Sequence, residues 1–259
     1  MIDKRTTILT IAGSDNTSGA GIQADIKTSS ILGVYCLSAI TTVTSQNSEK
    51  FFKIFKIPNH ILESQLKASF DEYKIDGVKI GLVNSVSTAK VIYDFLNNFK
   101  KKLPIVIDPI LKSTNNKKLC DPREYQKIHK IFSELKPIYT PNLYEAKALI
   151  GCTNKKVNIE KIYQLLKKKY SCQFVITGGD SVSEYCLDYV EIDGKIQVVK
   201  SKKKSSKSTH GSGCVFSSSL TIFLAKGYTL IESLKKSKKF INQQIDRSPV
   251  LNVKYGPLI

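Results

Sequence analysis

A glycine-rich turn near residue 210 combines residue types suited to binding an anion. It reads THGSGC over residues 209–214 and precedes a segment with helical spacing of apolar residues. Gly211 and Gly213 leave successive amide groups free to point at one spot at the positive end of a helix dipole, as in phosphate-binding sites. A thiol at the start of a helix, Cys214, is expected to have a lowered pKa. The competing structural interpretation makes Cys214 a small buried residue and His210 an ordinary loop side chain.

A second loop rich in small and polar residues lies near the start of the sequence. It reads AGSDNTSGAG over residues 12–21 and leads into another helix-like segment. Its glycines, Gly13 among them, allow the backbone to approach a ligand closely, and the helix start offers free amide groups. A plain strand-to-helix turn with solvated Ser and Asp explains the pattern equally well.

Carboxylates and an amide mark two more predicted strand ends. Asp108 follows an apolar stretch, where a carboxylate suits a metal or nucleotide contact or simply opens a turn before Pro109. Asn142 and Glu145 lie three residues apart, which places an amide and a carboxylate on one side of a nascent helix. They also fit a capping box, which we favour on these residues alone. There is no GxxxxGK[ST] motif, so any nucleotide enzyme here would use the 209–214 turn as its anion site.

The elements that must position these loops follow from periodicity. Strand-like segments lie at 6–12, 75–82, 104–110, 137–140 and 173–177. They alternate with helix-like segments at 22–32, at 59–73, from 85, after 142, at 159–170, from 211 to before Gly227, and from 229. Such alternation predicts an α/β fold with a parallel sheet covered on both faces, whose ligands bind at the carboxyl ends of the strands.

Local signals refine these element ends. Asn59 and Asn158 are candidate helix caps, and Thr229 with Glu232 forms a capping box. Asp193-Gly194 predicts a hairpin turn within 185–199, and the Lys- and Ser-rich stretch 200–208 predicts a mobile surface loop. No internal repeat or linker divides the sequence, so we expect a single domain over residues 1–259.

Composition indicates a soluble globular protein. Hydrophobic residues make up 41% of the 259 residues and charged residues 24%, which excludes a disordered chain. No apolar run approaches the roughly 20 residues of a membrane span, and the first residues lack a signal-peptide core. We therefore expect a cytoplasmic protein. The six cysteines form no CxxC pair, which disfavours zinc and disulfide frameworks.

The net charge of +18 suggests an anionic partner, such as nucleic acid or an acidic ligand. However, the basic residues include only three arginines, Arg5, Arg123 and Arg247. Groove readers and phosphate clamps favour the planar guanidinium group, so we do not expect nucleic-acid binding to be the main function.

Several short blocks spread along the sequence form a recognisable series. They are AGSDNTSGAGIQADIKT (12–28), TSQN (44–47), VKIGL (78–82), DPIL (108–111), TPNLYEAKALIG (140–151), TGGD (177–180), THGSGC (209–214) and a closing Gly256-Pro257. Taken in order, these blocks resemble one enzyme family, the hydroxymethylpyrimidine/phosphomethylpyrimidine kinases of thiamine biosynthesis. The likeness covers nearly the whole chain, and the first and last blocks are its most specific parts.

The resemblance implies a ribokinase-like fold, with three α/β/α layers and a mostly parallel central sheet. It implies ATP- and Mg²⁺-dependent phosphorylation of 4-amino-5-hydroxymethyl-2-methylpyrimidine and then of its monophosphate. The first loop and residues 111–118 would make room for the phosphate already present in the second step. The pyrimidine would contact Gly13, Asp25, Gln46, Leu82 and Ile110, with the Gln46 amide matching a ring nitrogen beside an exocyclic amine.

The resemblance also implies where the nucleotide and the catalytic groups lie. The nucleotide would contact Asp108, Asn142, Glu145, Thr177, Gly179 and Ser212. Asp108 and Glu145 would hold Mg²⁺, and the amides near Gly211 and Gly213 would stabilise the transferred phosphoryl group. Cys214 would lie beside the substrate hydroxymethyl group, and its role as general base is a hypothesis. Thr177 stands where many relatives have lysine, so a lysine of the 200–207 run is a candidate replacement.

Two alternatives stay open. Pyridoxal kinases of the same fold act on a similar aromatic hydroxymethyl compound, although Gln46 favours an aminopyrimidine. A basic binding protein that kept the fold without strong catalysis would also fit the charge and Thr177. The family resemblance further implies a homodimer.

Overall fold

The computed structural model describes residues 5–99, 102–113, 117–152, 157–179, 183–204, 206, 208–249, 251, 253 and 256–259. Strands and helices alternate through most of this part of the chain. The strands are β1 (Thr7–Asp15), β2 (Tyr35–Gln46), β3 (Phe51–Lys56), β4 (Gly77–Ile80), β5 (Ile105–Ile107), β6 (Ile138–Tyr139), β7 (Gln173–Ile176), β8 (Tyr185–Ile192) and β9 (Lys195–Lys202). The helices are α1 (Gly21–Ile31), α2 (Asn59–Glu72), α3 (Val86–Asn97), α4 (Pro122–Ser133), α5 (Leu143–Ile150), α6 (Ile159–Tyr170), α7 (Ser212–Ala225) and α8 (Leu230–Arg247).

The strands form one sheet in the order β3-β2-β1-β4-β5-β6-β7-β8-β9. The six strands from β2 to β7 in this order are parallel to their neighbours, whereas β3, β8 and β9 pair antiparallel at the two edges. Strand β2, which follows β1 in the chain, lies on one side of β1, and β4 lies on its other side. The resulting switch between β1 and β4 is the place where open α/β sheets form a ligand crevice.

Helices cover both faces of this sheet, because alternate strand residues point to opposite sides. Ile107 and Phe174 pack in the larger core with α2 to α6, whereas Val106 and Val175 pack with Phe216 and its neighbours on α7 and α8. Helix α1 packs against α7 on this second face. This three-layer α/β/α arrangement with a mostly parallel sheet confirms the predicted fold class.

Most of the predicted elements are present, and three differ in ways that the structure explains. Strand β1 continues through the glycine-rich segment to Asp15, because Ser14 and Asp15 still pair with β2. The stretch expected to be a mobile loop from residue 200 begins as strand: β9 runs to Lys202, paired with β8. Asn59 is the first residue of α2 rather than its cap, and its side chain accepts a hydrogen bond from Thr88 instead.

Three elements had no counterpart in the sequence analysis. Strand β2 has many Thr and Ser residues, β3 is largely exposed, and α4 begins at Asp121-Pro122 within a Lys-rich region. The Asn158 cap and the Thr229–Glu232 capping box are confirmed. All six cysteines are free, and none of the helices in the described part of the chain is long and apolar enough to cross a membrane.

Candidate active site

An open cleft of about 940 Å³ lies at the carboxyl ends of the central strands, beside the switch between β1 and β4. It runs from the ends of β1 and β2 past β5 to the starts of α5 and α7 and the β8–β9 hairpin. All but one of the candidate site residues line it: Gly13, Gln46, Leu82, Asp108, Ile110, Asn142, Glu145, Thr177, Gly179, Gly211, Ser212, Gly213 and Cys214. The sequence blocks therefore converge on one cavity.

Asp25 is the exception, because it lies behind the cleft wall. Its side chain is fully buried on α1 and pairs with Lys79 Nζ at 2.9 Å. It also accepts hydrogen bonds from Thr10 Oγ1 at 2.5 Å and Ser218 Oγ at 2.6 Å. The structure therefore does not place Asp25 among the residues that line the cleft, and its carboxylate joins α1, β1, β4 and α7. The burial of Lys79 opposes its charge, but Asp25 outweighs this effect and raises the pKa of Lys79.

The first loop folds tightly around backbone contacts. Gly21 has a φ of +58°, and a Cβ there would lie 2.2 Å from the carbonyl oxygen of Gly13. Gly13 itself has Thr42 Oγ1 within 2.7 Å of an ideal Cβ position. Residue 21 therefore requires glycine, whereas a side chain at residue 13 would have to displace Thr42.

Gln46 and Leu82 form one end of the cleft. Gln46 is the last residue of β2, and Asn16 holds its backbone with two hydrogen bonds, of 2.8 and 3.0 Å. The Leu82 carbonyl accepts a 2.6 Å hydrogen bond from Thr41 Oγ1, which fixes the segment after β4. Gln46 thus presents an amide, and Leu82 an apolar side chain, from a rigid backbone.

Asp108 lies at the end of β5, opposite the start of α7. Its carboxylate accepts a 3.3 Å hydrogen bond from Ser217 and lies 3.6 Å from where a Cβ of Gly213 would be. Burial raises the pKa of Asp108 to about 6; nearby Asp25 adds to this effect and Lys79 opposes it. A partly desolvated carboxylate here is well placed to meet a cationic ligand group.

Asn142 and Glu145 make the capping box that we favoured. The Glu145 amide donates to Asn142 Oδ1 at 2.9 Å, and Glu145 Oε2 accepts from the Asn142 amide at 3.0 Å. Both residues nevertheless line the cleft, so the cap orients them toward it. Thr177, at the end of β7, is held beside this cap by a 2.8 Å hydrogen bond from its amide to the Pro141 carbonyl.

The 209–214 turn leads into α7 as expected. Gly211 is the N-cap, with a φ of +81°, and Ser212 is the first helical residue. The expected lowering of the Cys214 pKa is wrong: burial raises it to about 12, and Asp108 and Asp25 add to this effect, while Lys79 opposes it. The thiol is only 6% exposed, so desolvation exceeds the influence of the helix terminus.

Other polar residues that the sequence analysis did not name as site residues also line the cleft, among them Asp15, His210, Lys112 and Lys238. Asp15 contacts His210 Nε2 at 2.9 Å, and Lys238 contacts Asp188 at 2.5 Å. For Lys238 a signal existed, because it lies four residues after Leu234 and three before Ile241 on the apolar face of α8. Asp15 and His210 belonged to the two motif loops, but nothing in their spacing indicated contact.

The cleft at the topological switch, the anion turn at a helix start and the buried carboxylate facing it define a small-molecule kinase of the ribokinase-like α/β class. A family model described as phosphomethylpyrimidine kinase matches residues 15–259. The chain belongs to this family.

Individual relatives agree over nearly the full length. The hydroxymethylpyrimidine/phosphomethylpyrimidine kinase of Haemophilus influenzae is 35% identical, over 96% of this chain and 94% of the relative. The solved phosphomethylpyrimidine kinase of Clostridium difficile 630 is 31% identical, with a TM-score of 0.79 over 93% of this chain and 100% of that one. An ADP complex of Bacillus subtilis pyridoxal kinase is also 31% identical, with a TM-score of 0.86 over 98% and 97% of the two chains.

Proposed function

We propose that this protein transfers the terminal phosphoryl group of ATP to the hydroxymethyl oxygen of 4-amino-5-hydroxymethyl-2-methylpyrimidine, and then phosphorylates the monophosphate. The observation that carries this proposal is that the Gln46 amide and the 209–214 anion turn line the same cleft. The family description and the name of the Haemophilus influenzae relative support the substrate class.

The pyrimidine end of the site would use one amide and two apolar walls. Gln46 can donate to a ring nitrogen and accept from the adjacent exocyclic amine, which a hydrocarbon side chain cannot do. Leu82 and Ile110 would pack on the ring. Lys112 and Ser113 line the cleft in the described part of loop 111–118 and would meet the phosphate of the monophosphate; residues 114–116 of that loop lie outside the described part.

The phosphoryl end of the site would act through amides rather than through a covalent intermediate. The backbone amides around Gly211 and Gly213 converge at the start of α7, where charge on a phosphoryl group is stabilised. Phosphoryl transfer mainly requires positioning and charge stabilisation, so these amides would supply most of the catalysis.

The proposed nucleotide end of the cleft has carboxylate oxygens that would serve as ligands for nucleotide-bound Mg²⁺. Mg²⁺ is usually held by one or two carboxylates together with phosphate oxygens and waters. Asp108 and Glu145 fit this pattern, since both carboxylates line the cleft. When bound, Mg²⁺ would offset the negative charge of the phosphates. The ADP complex of the Bacillus subtilis relative supports an adenine nucleotide here.

Cys214 would lie beside the reacting hydroxyl. Because burial raises its pKa to about 12, the thiol is neutral in the free protein at pH 7. The proposed base role then requires proton transfer concerted with phosphoryl transfer. The alternative, which the burial favours, is that Cys214 shapes the wall and the amides dominate catalysis.

Pyridoxal is a second candidate substrate, supported by the 31% identity and the TM-score of 0.86 to the Bacillus subtilis pyridoxal kinase. Gln46 separates the two candidates. Gln46→Leu should lower kcat/KM for the aminopyrimidine about 100-fold, because the buried ring polar atoms lose their partner, and change that for pyridoxal less than about threefold.

The experiment compares wild type, Gln46→Leu and the control Gln126→Leu on both compounds with ATP. Gln126 lies on α4 and contacts the Ala148 carbonyl, away from the cleft. Turnover of pyridoxal alone by the wild type would contradict the proposal. Absence of turnover on both compounds would favour the basic binding protein, which a salt-sensitive complex with DNA or RNA would support further.

The homodimer implied by the family is also part of this proposal. Strand β3 lies at an open sheet edge, and Phe52 and Phe55 on it are 58% and 64% exposed. Exposed apolar residues on an edge strand favour association with a second chain. Light scattering tests this point, and the mass of one chain rather than two would contradict it.

A further inference from the structure

Asp15 and His210 form a polar contact between the two loops that carry the substrate and phosphoryl ends of the cleft. Asp15 is the last residue of β1, and His210 immediately precedes the N-cap of α7. Their side chains are 4% and 13% exposed, and His210 Nε2 lies 2.9 Å from Asp15 Oδ2. Both residues also line the cleft.

The Asp15 carboxylate organises the first loop as well as contacting His210. It accepts hydrogen bonds from the Thr17 amide at 2.9 Å, from Thr17 Oγ1 at 2.8 Å and from the Ala20 amide at 3.0 Å. Burial opposes ionisation, but hydrogen bonds from His210 and Thr17 outweigh it and lower the pKa of Asp15 to about 2. The Asp15 carboxylate thus contacts Thr17 and Ala20 in the first loop and His210 in the 209–214 turn.

The two loops also touch through backbone that leaves no space for side chains. A Cβ on Gly19 would lie 2.3 Å from His210 Cδ2, and one on Gly211 would lie 1.8 Å from the Gly19 carbonyl oxygen. Gly211 further adopts a φ of +81°. The relative position of the loops therefore depends on the glycine contacts and on the Asp15–His210 pair.

The backbone of His210 is fixed from the other side by the end of the chain. Its amide donates to the Gly256 carbonyl at 3.1 Å, and its carbonyl accepts from the Leu258 amide at 3.2 Å. Leu258 is 1% exposed and packs in the cluster that contains Cys214 and Val215. Because both backbone groups of His210 are paired, its ring meets Asp15 from a rigid support.

We infer that Asp15 and His210 are positioning residues that hold the first loop, residues 12–21, in a fixed position relative to the 209–214 turn. This inference rests on the proposed function, since their relative position matters only if a substrate held by one loop receives a group stabilised by the other. A small misplacement of reacting atoms costs up to about 100-fold in rate. Most of the proposed nucleotide contacts, among them Asn142, Glu145 and Thr177, lie on other elements, so ADP binding should depend little on this pair.

The test compares His210→Ala, His210→Gln and Asp15→Asn with wild type. We expect His210→Ala to lower kcat for the aminopyrimidine about 10- to 100-fold while the Kd for ADP changes less than about twofold. His210→Gln, which restores an amide donor, should recover about tenfold of this loss. Asp15→Asn should lower kcat at least as much as His210→Ala, because it also disturbs the hydrogen bonds from Thr17 and Ala20. Adding His210→Ala to Asp15→Asn should then cost less than about threefold more, since the shared contact is already lost.

Thr229→Ala is the control for a purely structural effect. It removes the capping box at the start of α8, where neither Thr229 nor Glu232 lines the cleft. This variant should lower Tm by about 2–4 °C without changing kcat. If His210→Ala lowers Tm similarly and leaves kcat within about twofold of wild type, the inference is wrong.

A second readout separates this inference from the proposed function. Hydrogen exchange of the amides at residues 16–20 should accelerate about tenfold or more in His210→Ala without any substrate. If the wild type phosphorylates none of the candidate compounds, the proposed function fails. Unchanged exchange in this loop would overturn the inference whatever the activity.

Discussion

At Cys214, the dipole of α7 favours a thiolate, whereas burial opposes it. Burial exceeds the dipole, which raises the pKa of the thiol to about 12. We therefore predict that Cys214→Ser and Cys214→Ala each keep kcat within about tenfold of wild type, because positioning and backbone amides dominate phosphoryl transfer. Steady-state kinetics with the aminopyrimidine at pH 7.5 measures this.

The pH dependence provides the check on that prediction. If no thiolate is required, kcat of the wild type should stay nearly constant from about pH 7 to 9. A loss of more than about 1,000-fold in both Cys214 variants, with a wild-type kcat that rises about tenfold per pH unit, would establish Cys214 as the base.

At the scale of elements, the segment that follows β9 brings two lysines to the cleft. Lys203 and Lys204 follow β9 and line the cleft, and Lys204 pairs with Asp246 on α8 and donates to the Asn242 carbonyl at 3.1 Å. They are the candidates for the cationic nucleotide contact that the family resemblance led us to expect at position 177.

Neutralising Lys203 and Lys204 should weaken nucleotide binding. We predict that the double variant Lys203→Gln/Lys204→Gln raises KM for ATP about tenfold or more, as expected for losing charge-assisted hydrogen bonds to phosphate. The control Lys195→Gln/Lys202→Gln removes the same charge from exposed positions of β9 outside the cleft. Equal KM values for the two double variants would retire a specific role for Lys203 and Lys204.

The elements also show why sequence reasoning found some parts of the protein and missed others. The strands β5 and β7 are short, mostly apolar runs and were predicted, because burial on both faces requires such runs. Strand β2 carries polar residues that bond to neighbouring loops, as Thr41 does to the Leu82 carbonyl, so its pattern resembled no buried strand.

For the site, too, sequence analysis found the features visible in local composition and missed those that depend on distant residues. The glycine-rich composition of the two loops was visible in the sequence, although the contacts that require it, such as the one between Gly211 and the Gly19 carbonyl, join distant residues. The burial of Asp25 and of Cys214 depends on residues that come later in the chain, such as Ser218 and Phe240. Neither the position of Asp25 behind the cleft wall nor the raised pKa of the thiol could therefore be deduced from sequence. The Asp15–His210 contact joins residues 195 positions apart.

For the whole molecule, a buried histidine makes stability depend on pH. His129 lies among Tyr125, Phe132 and Tyr139, and its Nδ1 atom has no hydrogen-bond partner in the described part of the chain. Burial lowers its pKa from 6.5 to about 3. Because the folded pKa is depressed, the unfolded chain binds a proton first, and stability is lost as the pH falls below about 6.5.

We predict that replacing this histidine flattens that dependence. As the pH falls from about 6 to 4, the free energy of unfolding of His129→Leu should rise relative to that of wild type by roughly 1.4 kcal/mol per pH unit. Urea denaturation across this range measures the difference, with the exposed His60→Leu as control. The comparison is needed because Asp108, whose folded pKa is raised to about 6, contributes the opposite slope. Parallel pH profiles for wild type and His129→Leu would contradict the assignment.

The central claim is that one cleft phosphorylates an aminopyrimidine alcohol and then its monophosphate. The most direct measurement follows 4-amino-5-hydroxymethyl-2-methylpyrimidine with ATP and Mg²⁺ by mass spectrometry over time. The account predicts that a monophosphate appears first and is then converted to a diphosphate, with one ATP consumed in each step. An unchanged pyrimidine under conditions in which pyridoxal is phosphorylated would contradict it.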